Sequence, residues 1–151
     1  MTITSPAFDD GEAIPTAHTC DGKNTSPPLE WSGVPDGTKS LALICDDPDA
    51  PIGTWVHWVY FNIPASLTGL PEGLAAGAEP ETGGIQGRNG WRKRAYGGPC
   101  PPGGTHRYYF RLYALDAKLE LAHRANKRRL RRAMDGHIVA EATLMGTYSR
   151  T

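Results

Sequence analysis

The nine residues Trp55-Val56-His57-Trp58-Val59-Tyr60-Phe61-Asn62-Ile63 restrict the fold more than any other segment of the chain. Their aromatic and β-branched content is that of a strand. Alternation places Trp55, His57, Val59, Phe61 and Ile63 on one face and Val56, Trp58 and Tyr60 on the other. Both faces are apolar, so the strand must lie inside a sheet that is covered on both sides. A single histidine sits within this apolar run.

The remaining segments fit a mainly β chain. Glycine and proline are frequent, 18 and 13 of 151 residues, so turns recur at short intervals. Strands are predicted near Leu29–Trp31 and over Ser40–Asp46, His106–Leu115 and Ile138–Tyr148. In the third of these, His106, Tyr108, Phe110, Leu112 and Ala114 share a face. One helix is predicted, from Asn126 as N-cap to Met134, stopped by Asp135-Gly136. Leu130, Ala133 and Met134 form its apolar stripe. A length of 151 residues suits one domain, 1–151. The expected architecture is a β-sandwich-like fold with a short helix near the C-terminus.

Charge and cysteine content narrow the function classes. The net charge is zero, but residues 1–75 hold 10 acids and 2 bases, and residues 76–151 hold 6 acids and 14 bases. Such halves either face an anionic partner or pair with each other within one domain. The basic run Arg124, Lys127, Arg128, Arg129, Arg131 and Arg132 reads first as a solvated helix face. No aromatic platform accompanies it, so nucleic-acid binding is not expected. Cys20, Cys45 and Cys100 leave at least one thiol unpaired and show no CxxC spacing. That pattern predicts free thiols in a reducing compartment, hence a cytoplasmic protein. The N-terminus has neither the basic nor the apolar region of a signal peptide, and no run reaches the ~20 apolar residues of a membrane span.

Two rigid loops carry the chemistry. Asp46-Asp47-Pro48-Asp49-Ala50-Pro51 leads into the strand that holds His57. Gly97-Gly98-Pro99-Cys100-Pro101-Pro102-Gly103 leads into the strand that holds His106 and Tyr108. Proline fixes φ and restricts the residue before it, so both loops are stiff. Two histidines, a carboxylate and a hydroxyl beside proline walls predict one shared pocket for a small, charged, partly organic ligand such as a phosphate ester. Asp47 is the carboxylate expected to face the ligand, with Asp46 and Asp49 fixing the loop.

Taken in order, these segments resemble the phosphatidylethanolamine-binding protein family, which includes Raf kinase inhibitor proteins and flowering regulators. The residues that carry the likeness are Asp47-Pro48-Asp49-Ala50-Pro51 with His57, and Gly104-Thr105-His106-Arg107. Thr19-Cys20-Asp21-Gly22, Ser26-Pro27-Pro28-Leu29-Glu30-Trp31, Tyr96-Gly97-Gly98-Pro99-Cys100-Pro101-Pro102 and Leu144-Met145-Gly146-Thr147-Tyr148 resemble the bacterial, Raf-kinase-inhibitor-like branch. The resemblance implies a Greek-key β-fold around a large central antiparallel sheet. It implies an anion pocket formed by Asp47, His57, His106 and Tyr108 and walled by Pro48 and one of Pro99, Pro101 and Pro102. It also implies a non-trans peptide near the first signature, at Asp47-Pro48 or Ala50-Pro51.

The function implied is non-enzymatic binding of phosphate-bearing ligands, phosphoethanolamine or a phospholipid head group among them. Regulation of a partner kinase or protease goes with it, and a homodimer through the Trp-rich β surface stays open. The alternative is a hydrolase that pairs Cys100 or Cys45 with a histidine. A metal centre of His57, His106 and a carboxylate lacks any ligand spacing in the sequence. No cofactor is required. Arg88, Arg92, Lys93 and Arg94 stand next in sequence to the second loop, where they would steer an anion toward the pocket.

Overall fold

The computed structural model describes residues 1–150. Strands β1 (Thr2–Thr4), β2 (Leu29–Ser32) and β5 (Gly69–Leu70) form a small antiparallel sheet in the order β1-β2-β5. The large antiparallel sheet contains β3 (Ser40–Asp47), β4 (Trp55–Pro64), β6 (Ile85–Gln86), β7 (Thr105–Leu115) and β8 (Ile138–Ser149), in the order β6-β4-β3-β7-β8. That order keeps β3 beside the consecutive β4 but sets β7 on its other side, so the connection from β6 to β7 crosses the sheet. Helix α1 (Lys127–Met134) lies between β7 and β8 in the chain.

The predicted segments match these elements to within one or two residues, and the physical reasons hold. All eight residues of β3 are buried. One face of the large sheet packs Leu41, Leu43, Trp58, Tyr60, Phe110 and Leu112 against Ile3, Leu29, Trp31 and Leu70 of the small sheet. The other face packs Ala42, Ile44, Val59, Phe61 and Leu115 against Leu119 and against Leu130 and Met134 of α1. The apolar double-sided strand β4 is thereby covered on both sides. Each of its fully buried large side chains, Trp58 to Phe61 and Ile63, contributes about 1.5–3 kcal/mol by burial. Asn126 caps α1 by accepting the Arg129 N–H at 3.0 Å, and Gly136 follows the helix at φ 81°.

Three expectations are corrected. Strict alternation fails along β4, because two bulges interrupt its pairing with β3. Cys45 faces Trp58 and Asp46 faces Val56, which leaves His57 as an extra residue. His57 therefore does not share a face with Val59 and Phe61. The second bulge falls near Asn62, at φ 52°, and turns Ile63 onto the Trp58 and Tyr60 side. Asn62 locks this kink, its Nδ2 donating to the Leu119 carbonyl at 2.8 Å and its Oδ1 accepting the Leu119 N–H at 2.7 Å. Second, the thiols are not all free. Cys20 and Cys100, 80 residues apart, form a disulfide, and Cys45 is the buried free cysteine. Spacing could not show this pair, since only the fold brings the two turns together. Third, among the described residues no peptide bond is cis, including those at Pro48 and Pro51.

Candidate functional site

The bulge at His57 has a direct consequence for the site. It turns the imidazole toward the side of the sheet that carries Tyr108, at the end where β3, β4 and β7 meet two loops. A cavity of about 440 Å³ opens there. Asp47, His57, His106 and Tyr108 line its polar floor, and Pro101 and Pro102 line its wall. Of the predicted set, Pro48 and Pro99 do not line it: Pro48 is exposed and Pro99 is buried behind the wall.

Each floor residue is fixed from behind. The His106 Nδ1–H donates to Asp47 Oδ2 at 2.7 Å. The other oxygen of Asp47 accepts the Asp49 N–H at 2.7 Å, an Asx turn that begins the proline loop. The His57 Nδ1–H donates to the Gly97 carbonyl at 2.6 Å, and the Gly97 N–H donates to the His57 carbonyl at 3.0 Å. A carbonyl and a carboxylate can only accept, so Nδ1 carries the proton in both rings. Nε2 is the nitrogen of each histidine that these bonds leave unused. Tyr108 stands between them, its ring centroid 5.1 Å from that of His57 and 6.5 Å from that of His106. Its hydroxyl is buried and, among the described residues, has no partner within hydrogen-bond geometry. Burial first, and then the Asp47 charge, hold the Tyr108 pKa far above the usual phenol range, so this orphan is a neutral O–H donor.

The three acids of the first loop divide their tasks. Asp46 turns to the opposite face, where it pairs with Lys127 at 2.7 Å and Arg111 at 3.2 Å. Asp49 takes a forked pair from Arg107, at 2.8 and 2.9 Å, and also accepts the Arg107 N–H at 2.9 Å. The Arg107 guanidinium holds the Asp49 carboxyl down to about 2. Asp47 alone faces the cavity, and Arg107 of the second signature tethers the first loop to β7.

The sequence missed the apolar rim. Ile52, Trp55 and Trp91 line the mouth, and Ile52 is 98% exposed. Trp91 packs edge-on to His57 at 5.2 Å and to Trp55 at 5.4 Å. A lone tryptophan in a Gly- and Arg-rich turn was the available signal. Cys100 also lines the cavity, so the disulfide is part of its wall. Behind it, Gly98 lies so close to the His18 carbonyl and Asn24 Oδ1 that a Cβ would collide with both. The steering arginines are not gathered at this mouth. Arg88 lines a different cavity, and Arg94 Nε donates to the His123 carbonyl.

Burial lowers the His57 pKa below its ordinary 6.5, against the opposing pull of the Gly97 carbonyl and Asp47. The unfolded chain therefore binds a proton near pH 6.5 while the folded chain does not, and stability rises with pH in that range. Stability from His57 is fully present above about pH 6.5 and is lost as pH falls below it. Urea midpoints measured at pH 5.5 and 7.5 should differ in this direction, and the difference should shrink in His57→Gln. An undiminished difference in that variant would assign the effect to another group.

The model of the phosphatidylethanolamine-binding protein family matches residues 4–149. A protein of Methanothermobacter thermautotrophicus named UPF0098 protein is 53% identical over 150 residues, 99% of each chain. A phosphatidylethanolamine-binding protein homolog of Chlamydia trachomatis, CT736, superposes with a TM-score of 0.90 at 43% identity, covering 99% of this chain and 97% of its own. YbcL of E. coli, described as a new member of the mammalian family, gives 0.91 at 36% identity, with 99% and 98% covered. Fold, signature residues and near-complete coverage agree, and the chain belongs to the phosphatidylethanolamine-binding protein family.

Proposed function

We propose that this protein is a non-enzymatic binding module whose cavity takes the phosphate of a phosphate-bearing ligand, such as phosphoethanolamine or a phospholipid head group. One observation carries the reading: the unpartnered, buried Tyr108 hydroxyl stands between two histidines whose Nδ1 atoms are already bonded. The phosphate oxygens would accept from the Tyr108 hydroxyl, each histidine Nε2 would donate when its ring is protonated or accept a proton that the ligand carries, and the organic part would lie against Trp55 and Trp91. Among the described residues no arginine or lysine lines this cavity. The positive charge must therefore come from protonated imidazole, or the ligand must bring its own proton. The two apolar clusters share the large sheet, which supports one domain over residues 1–151. Control of a partner enzyme is the further part of the proposal, and membership of the family is its support.

Two observations weigh against the cysteine-dependent hydrolase alternative. Cys100 is in a disulfide, and Cys45 is buried on the apolar face with its pKa pushed well above the ordinary thiol value by burial.

Calorimetric titration with phosphate and phosphoethanolamine tests the reading. His57→Ala and His106→Ala should each lower affinity at least tenfold, since each removes a hydrogen bond to a charged group. Undiminished binding in both would refute it. The proton requirement gives a further expectation. Sulfate carries no proton near neutrality, so its affinity should fall by up to about tenfold per pH unit above the His57 pKa. Below about pH 6, where a phosphate monoester still holds its second proton, it can supply that proton to neutral His57 Nε2, so its affinity should fall less steeply with pH than that of sulfate. An identical sulfate slope in His57→Gln would remove His57 as the group that takes up the proton.

A further inference from the structure

Val56 and His57 are neighbours, yet they open to cavities on opposite faces of β4. The cavity beside Val56 has a volume of about 560 Å³ and lies between the start of α1 and the turn Arg88-Asn89-Gly90. Its charged lining is wholly basic: Arg88, Lys127, Arg128 and Arg131. Residues 121–134 contain no acid at all. Lys127 is neutralised by buried Asp46, but among the described residues no carboxylate lies within ion-pair distance of Arg88, Arg128 or Arg131.

Arg128 occupies the second position of α1, the end where the backbone dipole repels cations. No acid in the first turn offsets it. A placement that local physics disfavours, repeated by Arg88 from a separate element, marks a site built for negative charge. The frame is rigid. The Arg88 N–H donates to the Ala125 carbonyl at 2.9 Å, and the Gly90 N–H donates to the Val56 carbonyl at 2.8 Å. Gly87 approaches the Ala125 carbonyl so closely that no Cβ fits, which brings Arg88 beside the helix. The Asn89 side chain pins the turn through three hydrogen bonds. The turn sets half-buried Arg88 beside exposed Arg128 and Arg131 around one cavity, and three guanidiniums there match oxygens that bear several charges in a small volume, since each fork can bind two oxygens.

We infer that the cavity between α1 and the Arg88–Gly90 turn is a second anion site, separate from the histidine cavity, for a compact polyphosphate, free or esterified. Among the described residues the first cavity is lined by no arginine or lysine and the second by three arginines without a carboxylate partner, so the two select different ligands.

Amide NMR titration at 150 mM salt, with inorganic pyrophosphate and with a short alkyl diphosphate, tests the inference. Both ligands should shift the amides of residues 87–90 and 126–128 saturably, in wild type and in His57→Ala alike. Stronger binding of the alkyl diphosphate would identify an ester as the natural form, and equal binding a free polyphosphate. Arg88→Gln/Arg131→Gln should weaken binding at least tenfold while its spectrum stays dispersed and phosphoethanolamine still binds at the first site. Unchanged pyrophosphate affinity in that variant overturns the inference. So does the absence of saturable shifts, or association with anionic vesicles where pyrophosphate has no effect.

Discussion

Replacing Asp47 by alanine is expected to lower stability by about 3 kcal/mol, because it removes the charged acceptor of a buried hydrogen bond and leaves its donor unsatisfied. For a chain of this size the melting temperature should fall by about 6–12 °C. The loss has two origins. The side chains of Asp47 and His106 are 5% and 9% exposed, so the His106 Nδ1–H would be left without an acceptor and with little water to replace it. The Asp49 N–H loses its acceptor as well, which frees the start of the proline loop. Asp47→Asn keeps the shape but offers one carbonyl oxygen where two oxygens are needed, and should cost about 1–2 kcal/mol. Phosphate binding should fall at least tenfold in Asp47→Ala, since nothing then fixes the His106 ring. A double-mutant cycle with His106→Ala should return a coupling of about 1–3 kcal/mol. Urea unfolding and phosphate titration of the four proteins check this. Additive stability losses would mean that the 2.7 Å contact carries no net energy in solution.

The second large effect concerns the Cys20–Cys100 disulfide. It closes a loop of about 80 residues, and chain-entropy reasoning assigns such a loop about 4 kcal/mol. Cys20→Ser/Cys100→Ser, compared with oxidised wild type by urea unfolding, should lose about that much. The native cavity should change little, because three hydrogen bonds hold the same junction. The Cys20 N–H donates to the Pro99 carbonyl at 3.1 Å, the Gly98 N–H to Asn24 Oδ1 at 2.8 Å, and the Tyr96 hydroxyl to the His18 carbonyl at 2.7 Å. Phosphoethanolamine affinity within threefold of wild type is therefore expected. A tenfold loss would show that the bond shapes the folded wall as well as restricting the unfolded chain.

What the sequence revealed and what it concealed follow from the range of the interactions. Strands β3, β4, β7 and β8 were legible because burial imprints composition and alternation on contiguous residues. The helix was legible because Asn126 and Asp135-Gly136 mark its ends locally. The bulges were not, since an extra residue at His57 is defined only against its partner strand. The disulfide, the Trp91 rim and the removal of Arg88 to the far face are products of tertiary closure, and no spacing announces them. Asp47, His57, His106 and Tyr108 could be singled out because stiff loops and apolar strands rarely need such side chains. Pro99 could not be separated from Pro101 or Pro102, nor Pro48 from a wall residue, because all four have the same local stiffness.

The hydrogen bond between His106 and Asp47 joins residues 59 apart, that of His57 reaches 40 residues to Gly97, and Asp10 accepts the Met145 N–H across 135. Closures of such length form late and slowly in a folding reaction, because chain entropy is spent before any contact rewards it. The floor of the histidine cavity cannot exist until β7 has docked on β3, so a partly folded chain has no affinity for ligand. Occupancy of the cavity therefore reports completion of the large sheet. A bound anion should slow unfolding far more than it speeds refolding, since it stabilises contacts that the transition state has yet to make.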